Sequence, residues 1–235
     1  MTVERPAGSR EDQARDWKQV ARLLDSTLLK TETTRDQVMA LCDEAARFAM
    51  ATVFVHPVYV SLACDVLRGT STLVGTPVGF PLGAALTTSK RFEAVEALRL
   101  GARELDMVMN VGALKSGERR LVELDIRAVA TVAHGRGAIL KVILETPLLT
   151  IEEKILACEI SVAAGADFVK TCTGSNGPAT TDDIHLMRGV VGDRAKVKAS
   201  GGIRTAADVR RMLDAGADRI GTSTAAQILR EMGAS

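Results

Sequence analysis

Eight short apolar segments alternate with helical patterns along most of this 235-residue chain, and this alternation limits the fold more than any other feature. The predicted strands are residues 23–29, 52–56, 73–80, 104–110, 139–145, 168–171, 196–199 and 219–222. Strands that alternate with helices over short connections form a parallel sheet. Eight such units in a chain of this length favour closure into a single (β/α)8 barrel, a fold of about 250 residues.

The first eighteen residues differ from the rest of the chain. They are polar and charged and contain no apolar stretch of the kind found in a secretory signal. We interpret residues 1–18 as an N-terminal arm and residues 19–235 as one barrel domain. Two helix starts within that domain are readable, because Thr34 with Gln37 and Thr150 with Glu153 both fit capping boxes.

The charge balance and the cysteines indicate which partners and which cellular location to expect. The chain has 30 basic and 29 acidic residues, so it has no excess positive charge to attract nucleic acid or an anionic membrane. No apolar segment reaches the roughly 18 residues that a membrane span requires. The four cysteines are scattered without a close pair, and we expect them to be free thiols. These features predict a cytoplasmic protein with small-molecule partners.

A short repeat relates three of the predicted strands. In each copy a glycine ends a helix and an alanine follows it into a strand; the glycines are Gly101, Gly165 and Gly216. Five residues after them stand Asp106, Lys170 and Gly221. Alternate strands of a barrel contribute to one inward layer. We therefore expect Asp106 to face Lys170 inside the barrel, with Gly221 leaving space beside them.

Lys170 ends a predicted strand, and active sites of such barrels lie at that end. A lone lysine at a strand end more often reaches into solvent, but Lys198 stands on the next strand. Two ammonium groups in one cavity repel each other, and the release of one proton relieves the repulsion. A neutral amine is a nucleophile. Asp106 is then a candidate to carry protons with a water, or a buried partner that only compensates a lysine charge.

Glycine-rich loops follow the last two predicted strands. Gly201, Gly202 and Arg204 follow the seventh strand, and Gly221 and Ser223 lie at the end of the eighth. Loops at these positions often bind phosphate through backbone N–H groups and a helix N-terminus. Either loop alone could be only a tight turn, but the two together favour a phosphate ligand.

Several ordered motifs resemble the class I deoxyribose-phosphate aldolase family. They are residues 25–30 (DSTLLK), 78–83 (VGFPLG), 104–114 (ELDMVMNVGAL), 168–174 (FVKTCTG) and 197–205 (VKASGGIRT), and the similarity extends over residues 24–226. The resemblance implies a Schiff base between Lys170 and acetaldehyde, with Lys198 perturbing Lys170 and Asp106 relaying protons. It implies that Asp25, Thr27 and Thr173 position these groups and the substrate hydroxyls.

The same resemblance implies reversible cleavage of 2-deoxy-D-ribose 5-phosphate into acetaldehyde and D-glyceraldehyde 3-phosphate. The phosphate would lie near Gly174, Gly201, Gly202, Arg204, Gly221 and Ser223. The family works without a metal or organic cofactor, and its members are commonly dimers or tetramers. This sequence departs from the usual pattern at Phe54 and His56, where the family more often has Cys and Asn.

Other functions have less support from the residues. The three histidines stand on separate units without metal-ligand spacing, which disfavours a zinc aldolase. A Schiff-base aldolase that acts on a ketose phosphate remains an alternative, and so does a sugar-phosphate-binding protein on the same fold without catalysis. The presence of both lysines and of Asp106 argues against the binding protein.

Overall fold

The structure is a computed structural model that describes residues 16–235. Eight parallel strands close into a barrel in their sequence order. They are β1 Leu24–Leu28, β2 Thr52–Val55, β3 Leu73–Val78, β4 Glu104–Val108, β5 Ile139–Ile143, β6 Phe168–Lys170, β7 Lys196–Ser200 and β8 Arg219–Thr222. The predicted bounds agree with these to within two residues. The predicted (β/α)8 barrel is thus confirmed.

Helices surround the barrel. They are α1 Trp17–Ala21, α2 Arg35–Arg47, α3 Val60–Val66, α4 Thr87–Arg99, α5 Val111–Lys115, α6 Arg119–His134, α7 Ile151–Ala163, α8 Thr181–Val191, α9 Ala206–Asp214 and α10 Ala225–Glu231. Both predicted capping boxes are formed, at the starts of α2 and α7. Across residues 16–235, none of the helices is both long enough and apolar enough to cross a membrane.

The predicted N-terminal arm lies outside the described residues up to residue 15. Of its last three residues, Trp17 and Lys18 belong to α1. The Trp17 ring packs edge-on against Phe48, with ring centroids 6.1 Å apart. The division of the chain into an arm and a barrel domain therefore stays a prediction.

The three repeat glycines adopt one backbone conformation. Gly101, Gly165 and Gly216 have φ angles of 111°, 96° and 109°, in the region that favours glycine. Each stands two residues beyond the end of its helix, α4, α7 or α9. The alanine that follows each glycine donates its N–H to the carbonyl five residues earlier, at 2.9–3.1 Å. Identical helix endings place the following strands in equivalent registers, as the sequence predicts.

Alternation along the strands separates an apolar outer layer from a charged interior. Leu105 and Met107 of β4 and Val197 of β7 are fully buried in the apolar core. The neighbouring residues Asp106 and Lys198 point to the other face of the sheet. A barrel interior is ordinarily filled by branched apolar side chains. Here the interior holds ion pairs instead.

Phe54 is the largest fully buried side chain, and Gly75 on the neighbouring strand makes room for it. A Cβ atom added to Gly75 would lie 2.7 and 2.8 Å from Cε2 and Cε1 of the Phe54 ring. These separations are shorter than van der Waals contact. The pairing of a large ring with a glycine therefore fills this part of the interior without overlap.

We expect Gly75→Ala to lower the free energy of unfolding by about 1–3 kcal/mol, because the added methyl group overpacks the interior against Phe54. Urea unfolding measures the change. Gly189→Ala in α8 is the matched control, since an added Cβ there meets nothing within 4 Å; alanine is expected to stabilise that helix slightly. Gly75→Ala should regain stability when combined with Phe54→Leu, and an unchanged free energy in Gly75→Ala alone would contradict this packing.

Candidate active site

A cavity of about 190 Å³ opens at the C-terminal ends of the strands. Nine of the twelve predicted site residues line it: Thr27, Lys170, Thr173, Gly174, Gly201, Gly202, Arg204, Gly221 and Ser223. The other three, Asp25, Asp106 and Lys198, are fully buried and connect to Lys170 through ion pairs. All twelve residues are thus brought together, although their roles stay predictions.

Asp106 is the centre of the site. Its Oδ2 atom accepts hydrogen bonds from Lys170 Nζ at 2.8 Å and from Lys198 Nζ at 2.7 Å. Its Oδ1 atom accepts a third from Lys141 Nζ at 3.2 Å. Burial alone would raise the pKa of Asp106, but the three ammonium groups outweigh burial and hold this pKa well below its ordinary value. Asp106 therefore stays ionised.

Lys198 has a lowered pKa, whereas the pKa of the neighbouring Lys141 is raised, so Lys198 loses its proton more readily than Lys141. Burial lowers the pKa of Lys198 to about 8. Ion pairs with Asp106 and Asp25 oppose this shift, and the ammonium groups of Lys170 and Lys141 add to it. The proton release expected from two neighbouring lysines is therefore favoured at Lys198.

Three charged residues of the site were not predicted from the sequence: Glu104, Lys141 and Arg219. Lys141 of β5 is fully buried and pairs with Glu104 as well as with Asp106. Arg219 of β8 pairs with Glu104 and with Asp25. A lysine in the middle of the apolar β5 segment, and an acid two residues before Asp106 in the same strand, are the signals that could have indicated them.

The interior cluster thus contains three carboxylates and four cationic side chains. The carboxylates are Asp25, Glu104 and Asp106, and the cations are Lys141, Lys170, Lys198 and Arg219. Because one cation is in excess, the cluster is electrically balanced when a single lysine is neutral. The charge count and the lowered pKa of Lys198 therefore both favour one neutral lysine in the cluster.

The Phe54 ring closes one side of this cluster. Lys198 Nζ lies 4.0 Å from the ring centroid, Lys141 Nζ 4.7 Å and Lys170 Nζ 6.0 Å. Ammonium groups at these distances are attracted by the ring face. The ring also occupies space that water would otherwise fill, which contributes to the burial that lowers the pKa of Lys198.

The wall formed by the loops after β7 and β8 offers donors for an anion. In the described part of the chain, the backbone N–H groups of Gly201, Gly202 and Ser223 donate to no protein acceptor. The start of α9 is different, because the N–H groups of Arg204 and Thr205 donate to the Asp208 carboxylate at 3.0 Å. The loop amides are therefore open to a ligand, whereas the two amides directly before α9 are already bonded.

Other residues considered from the sequence have ordinary structural contacts. His56 Nε2 lies 3.2 Å from the carbonyl oxygen of Lys30, which joins the loops after β1 and β2. Cys172 is buried and donates to the carbonyl oxygen of Ser200 at 2.8 Å. All four cysteines are free, as predicted. Among residues 16–235 no group of three His, Cys, Asp or Glu side chains is arranged to hold a metal ion.

Comparison with known proteins gives one consistent result. Residues 19–235 match the family described as DeoC/LacD family aldolase. Deoxyribose-phosphate aldolases of Listeria monocytogenes (strain HCC23) and Bacillus cereus (strain G9842) are each 52% identical to this chain over 211 residues, which is 89% of this chain and 94% of each relative.

Two solved structures agree with that match. A Coccidioides immitis protein, provisionally described as a deoxyribose-phosphate aldolase, has a TM-score of 0.90 and 43% identity over 98% of this chain and 92% of its own. The deoxyribose phosphate aldolase of Aeropyrum pernix, described as tetrameric, has a TM-score of 0.86 and 33% identity over 92% of this chain and 91% of its own.

The lowered pKa of Lys198 predicts that stability rises with pH. In the unfolded chain a lysine titrates near pH 10.4, whereas in the folded chain the pKa of Lys198 is about 8. Between these values the unfolded chain binds a proton that the folded chain has released, so the free energy of unfolding increases with pH. Relative to Lys198→Met, the increase should reach up to about 3 kcal/mol. Urea unfolding at several pH values between 7.5 and 10 measures it; equal pH slopes for the two proteins would contradict the assignment.

Proposed function

The chain belongs to the DeoC/LacD family of aldolases, and we propose that it cleaves its substrate through a Schiff base on Lys170. The family predicted from the motifs is confirmed. The protein is a carbon–carbon lyase, and its substrate is 2-deoxy-D-ribose 5-phosphate, which it converts reversibly into acetaldehyde and D-glyceraldehyde 3-phosphate.

The observation that carries this mechanism is the carboxylate oxygen shared by two amines. Lys170 Nζ and Lys198 Nζ both donate to Asp106 Oδ2, and Lys170 also lines the cavity. Because the pKa of Lys198 is lowered to about 8, Lys198 is partly neutral near that pH. Both amines contact the same oxygen, so the two share the protons between them, and in the reactive form of the site Lys198 carries its proton and Lys170 does not. Lys170 then faces the substrate as a free amine.

The reaction follows from a free amine at this position. Lys170 Nζ adds to the C1 aldehyde of the open-chain sugar phosphate, and loss of one water gives an iminium. Removal of the proton from the C3 hydroxyl breaks the C2–C3 bond, and the electron pair moves into the iminium to form an enamine. The enamine carbon takes up a proton, and water hydrolyses the resulting iminium to acetaldehyde and Lys170. This chemistry requires neither a metal nor an organic cofactor.

Asp106 assists the proton transfers of this reaction. It stays ionised, because the neighbouring ammonium groups hold its pKa well below the ordinary value despite its burial. An ionised carboxylate orients a water and the neighbouring amines by accepting their hydrogen bonds, and protons move along these bonds. Thr27 lines the cavity and donates from Oγ1 to the carbonyl oxygen of Asp25 at 3.0 Å. We assign Asp25 and Thr27 to positioning Lys198 and the substrate.

The phosphate group is assigned to the wall after β7 and β8. The open amides of Gly201, Gly202 and Ser223 supply hydrogen bonds, and the exposed Arg204 supplies positive charge. Gly174, in the loop after β6, and Gly221, in β8, also line the cavity, and their lack of a side chain allows the anion to approach the backbone. Binding at one end of the cavity leaves the aldehyde end of the sugar directed to Lys170.

We also propose an oligomeric state and a cellular location for the enzyme. The Aeropyrum pernix relative is described as tetrameric, and we expect a dimer or tetramer of this chain as well. We also expect a cytoplasmic enzyme of deoxyribonucleotide breakdown, with sugar phosphates and aldehydes as its small-molecule partners.

We expect Lys170→Met to lower kcat/KM for cleavage of 2-deoxy-D-ribose 5-phosphate by at least about a thousandfold, since no other amine lines the cavity among the described lysines. Acetaldehyde release measures the rate. Lys196→Met is the matched control, because Lys196 is an exposed lysine at the opposite end of β7, and its activity should equal that of the wild type.

Retention of activity in Lys170→Met would contradict the assignment of the nucleophile. Two further outcomes would favour the alternatives considered from the sequence. Preference for dihydroxyacetone phosphate over acetaldehyde as the donor in the reverse reaction would indicate a ketose-phosphate aldolase. Tight binding of the sugar phosphate without cleavage by the wild type would indicate a binding protein.

A further inference from the structure

Glu145, two residues beyond β5, has an unusual backbone conformation. Its φ and ψ angles are 61° and 55°, in the left-handed region that favours glycine. Among residues 16–235, the only other non-glycine residue with a positive φ is Ala49. A side chain held in this region costs free energy, and such residues cluster at functional sites. Glycine would adopt the same backbone at lower cost, so the glutamate side chain requires an explanation.

The Glu145 carboxyl group is buried and has one hydrogen-bond donor among residues 16–235. Only 2% of the residue is exposed. Both of its carboxyl oxygens lie 3.3 Å from the backbone nitrogen of Thr173, which donates to them. Within the described part of the chain, Glu145 takes part in no ion pair. A buried acid with this single contact acts on the loop that contains Thr173.

Two backbone hydrogen bonds join the same two segments. Leu144 N–H donates to the carbonyl oxygen of Lys170 at 2.9 Å, and Thr146 N–H donates to that of Thr171 at 3.0 Å. Glu145 lies between them, and its left-handed turn directs the carboxyl group to Thr173 N–H. The pairing of β5 with β6 thus continues past the strand ends, and its last connection is made by a side chain.

We propose that Glu145 is a positioning residue whose carboxyl group fixes Thr173 and Gly174 in the wall of the cavity, and so determines the affinity for the sugar phosphate. The inference rests on the proposed function, because Thr173 and Gly174 contact substrate only if the cavity is the aldolase site. Thr173 Oγ1 in turn accepts from the N–H of Ser175 at 3.1 Å. The effect of Glu145 therefore extends along the loop after β6.

Four variants distinguish the effect of the Glu145 carboxyl group from the effect of its left-handed backbone. Glu145→Ala removes the carboxyl group and keeps the left-handed cost, whereas Glu145→Gly removes both. Glu145→Gln keeps an oxygen that can accept from Thr173 N–H. Ala49→Gly is the matched control for the backbone, because it relieves the other left-handed residue, between α2 and β2, where no predicted site residue lies.

Steady-state cleavage of 2-deoxy-D-ribose 5-phosphate is measured for each variant, well below its unfolding temperature. We expect Glu145→Ala and Glu145→Gly to raise KM about tenfold or more, with kcat within about threefold of the wild type. Glu145→Gln should stay within about threefold in KM, and Ala49→Gly should equal the wild type. A merely structural role would lower the unfolding temperature without this separation of KM from kcat.

Hydrogen exchange of the Thr173 amide tests the contact without reference to catalysis. Exchange should be faster in Glu145→Ala and Glu145→Gly than in the wild type and Ala49→Gly, because the acceptor has been removed. Wild-type KM together with unchanged Thr173 exchange in Glu145→Gly would overturn the proposal. A wild-type protein that cleaves no sugar phosphate would overturn the proposed function instead, and the exchange rates would still decide whether Glu145 holds the loop.

Discussion

The carboxylate of Asp106 is the contact on which the charged interior depends. It accepts hydrogen bonds from three lysines on three different strands, β5, β6 and β7. Each buried ammonium group is costly on its own, and removal of one partner from a buried pair leaves an uncompensated charge. The Asp106 carboxylate therefore keeps Lys170 and Lys198 within one hydrogen bond of the same oxygen, and we propose that a proton passes between them through this arrangement.

The charged interior is compatible with a folded barrel because a separate apolar layer lies between the strands and the helices. Apolar residues between the strands and the helices supply most of the buried apolar surface, and they alternate with the charged residues along the same strands. The interior then holds three carboxylates and four cations, an arrangement that is weak evidence for stability and to which we assign the chemistry. The Phe54 ring fills volume in the interior and also contacts the ammonium groups of Lys198 and Lys141.

Much of the fold and of the site was predictable from the sequence, and the reasons differ for each part. The glycines Gly101 and Gly165 stand at equal distances before Asp106 and Lys170, so the register followed from spacing alone. Lys141 was missed because a single charge inside an apolar segment does not reveal that Asp106 of the neighbouring strand β4 stands beside it in the register. The left-handed backbone of Glu145 has no local sequence signal, since it depends on hydrogen bonds with a loop more than twenty residues away.

Lys170 is the proposed nucleophile, and trapping of the Schiff base with borohydride is the direct test of this assignment. The protein is incubated with acetaldehyde, reduced, digested and mapped by peptide mass spectrometry. We expect a reduced two-carbon adduct on Lys170 that is absent without borohydride. An adduct mainly on Lys198 would reverse the roles of the two lysines, and the absence of an adduct on either lysine in folded protein would contradict the Schiff-base mechanism.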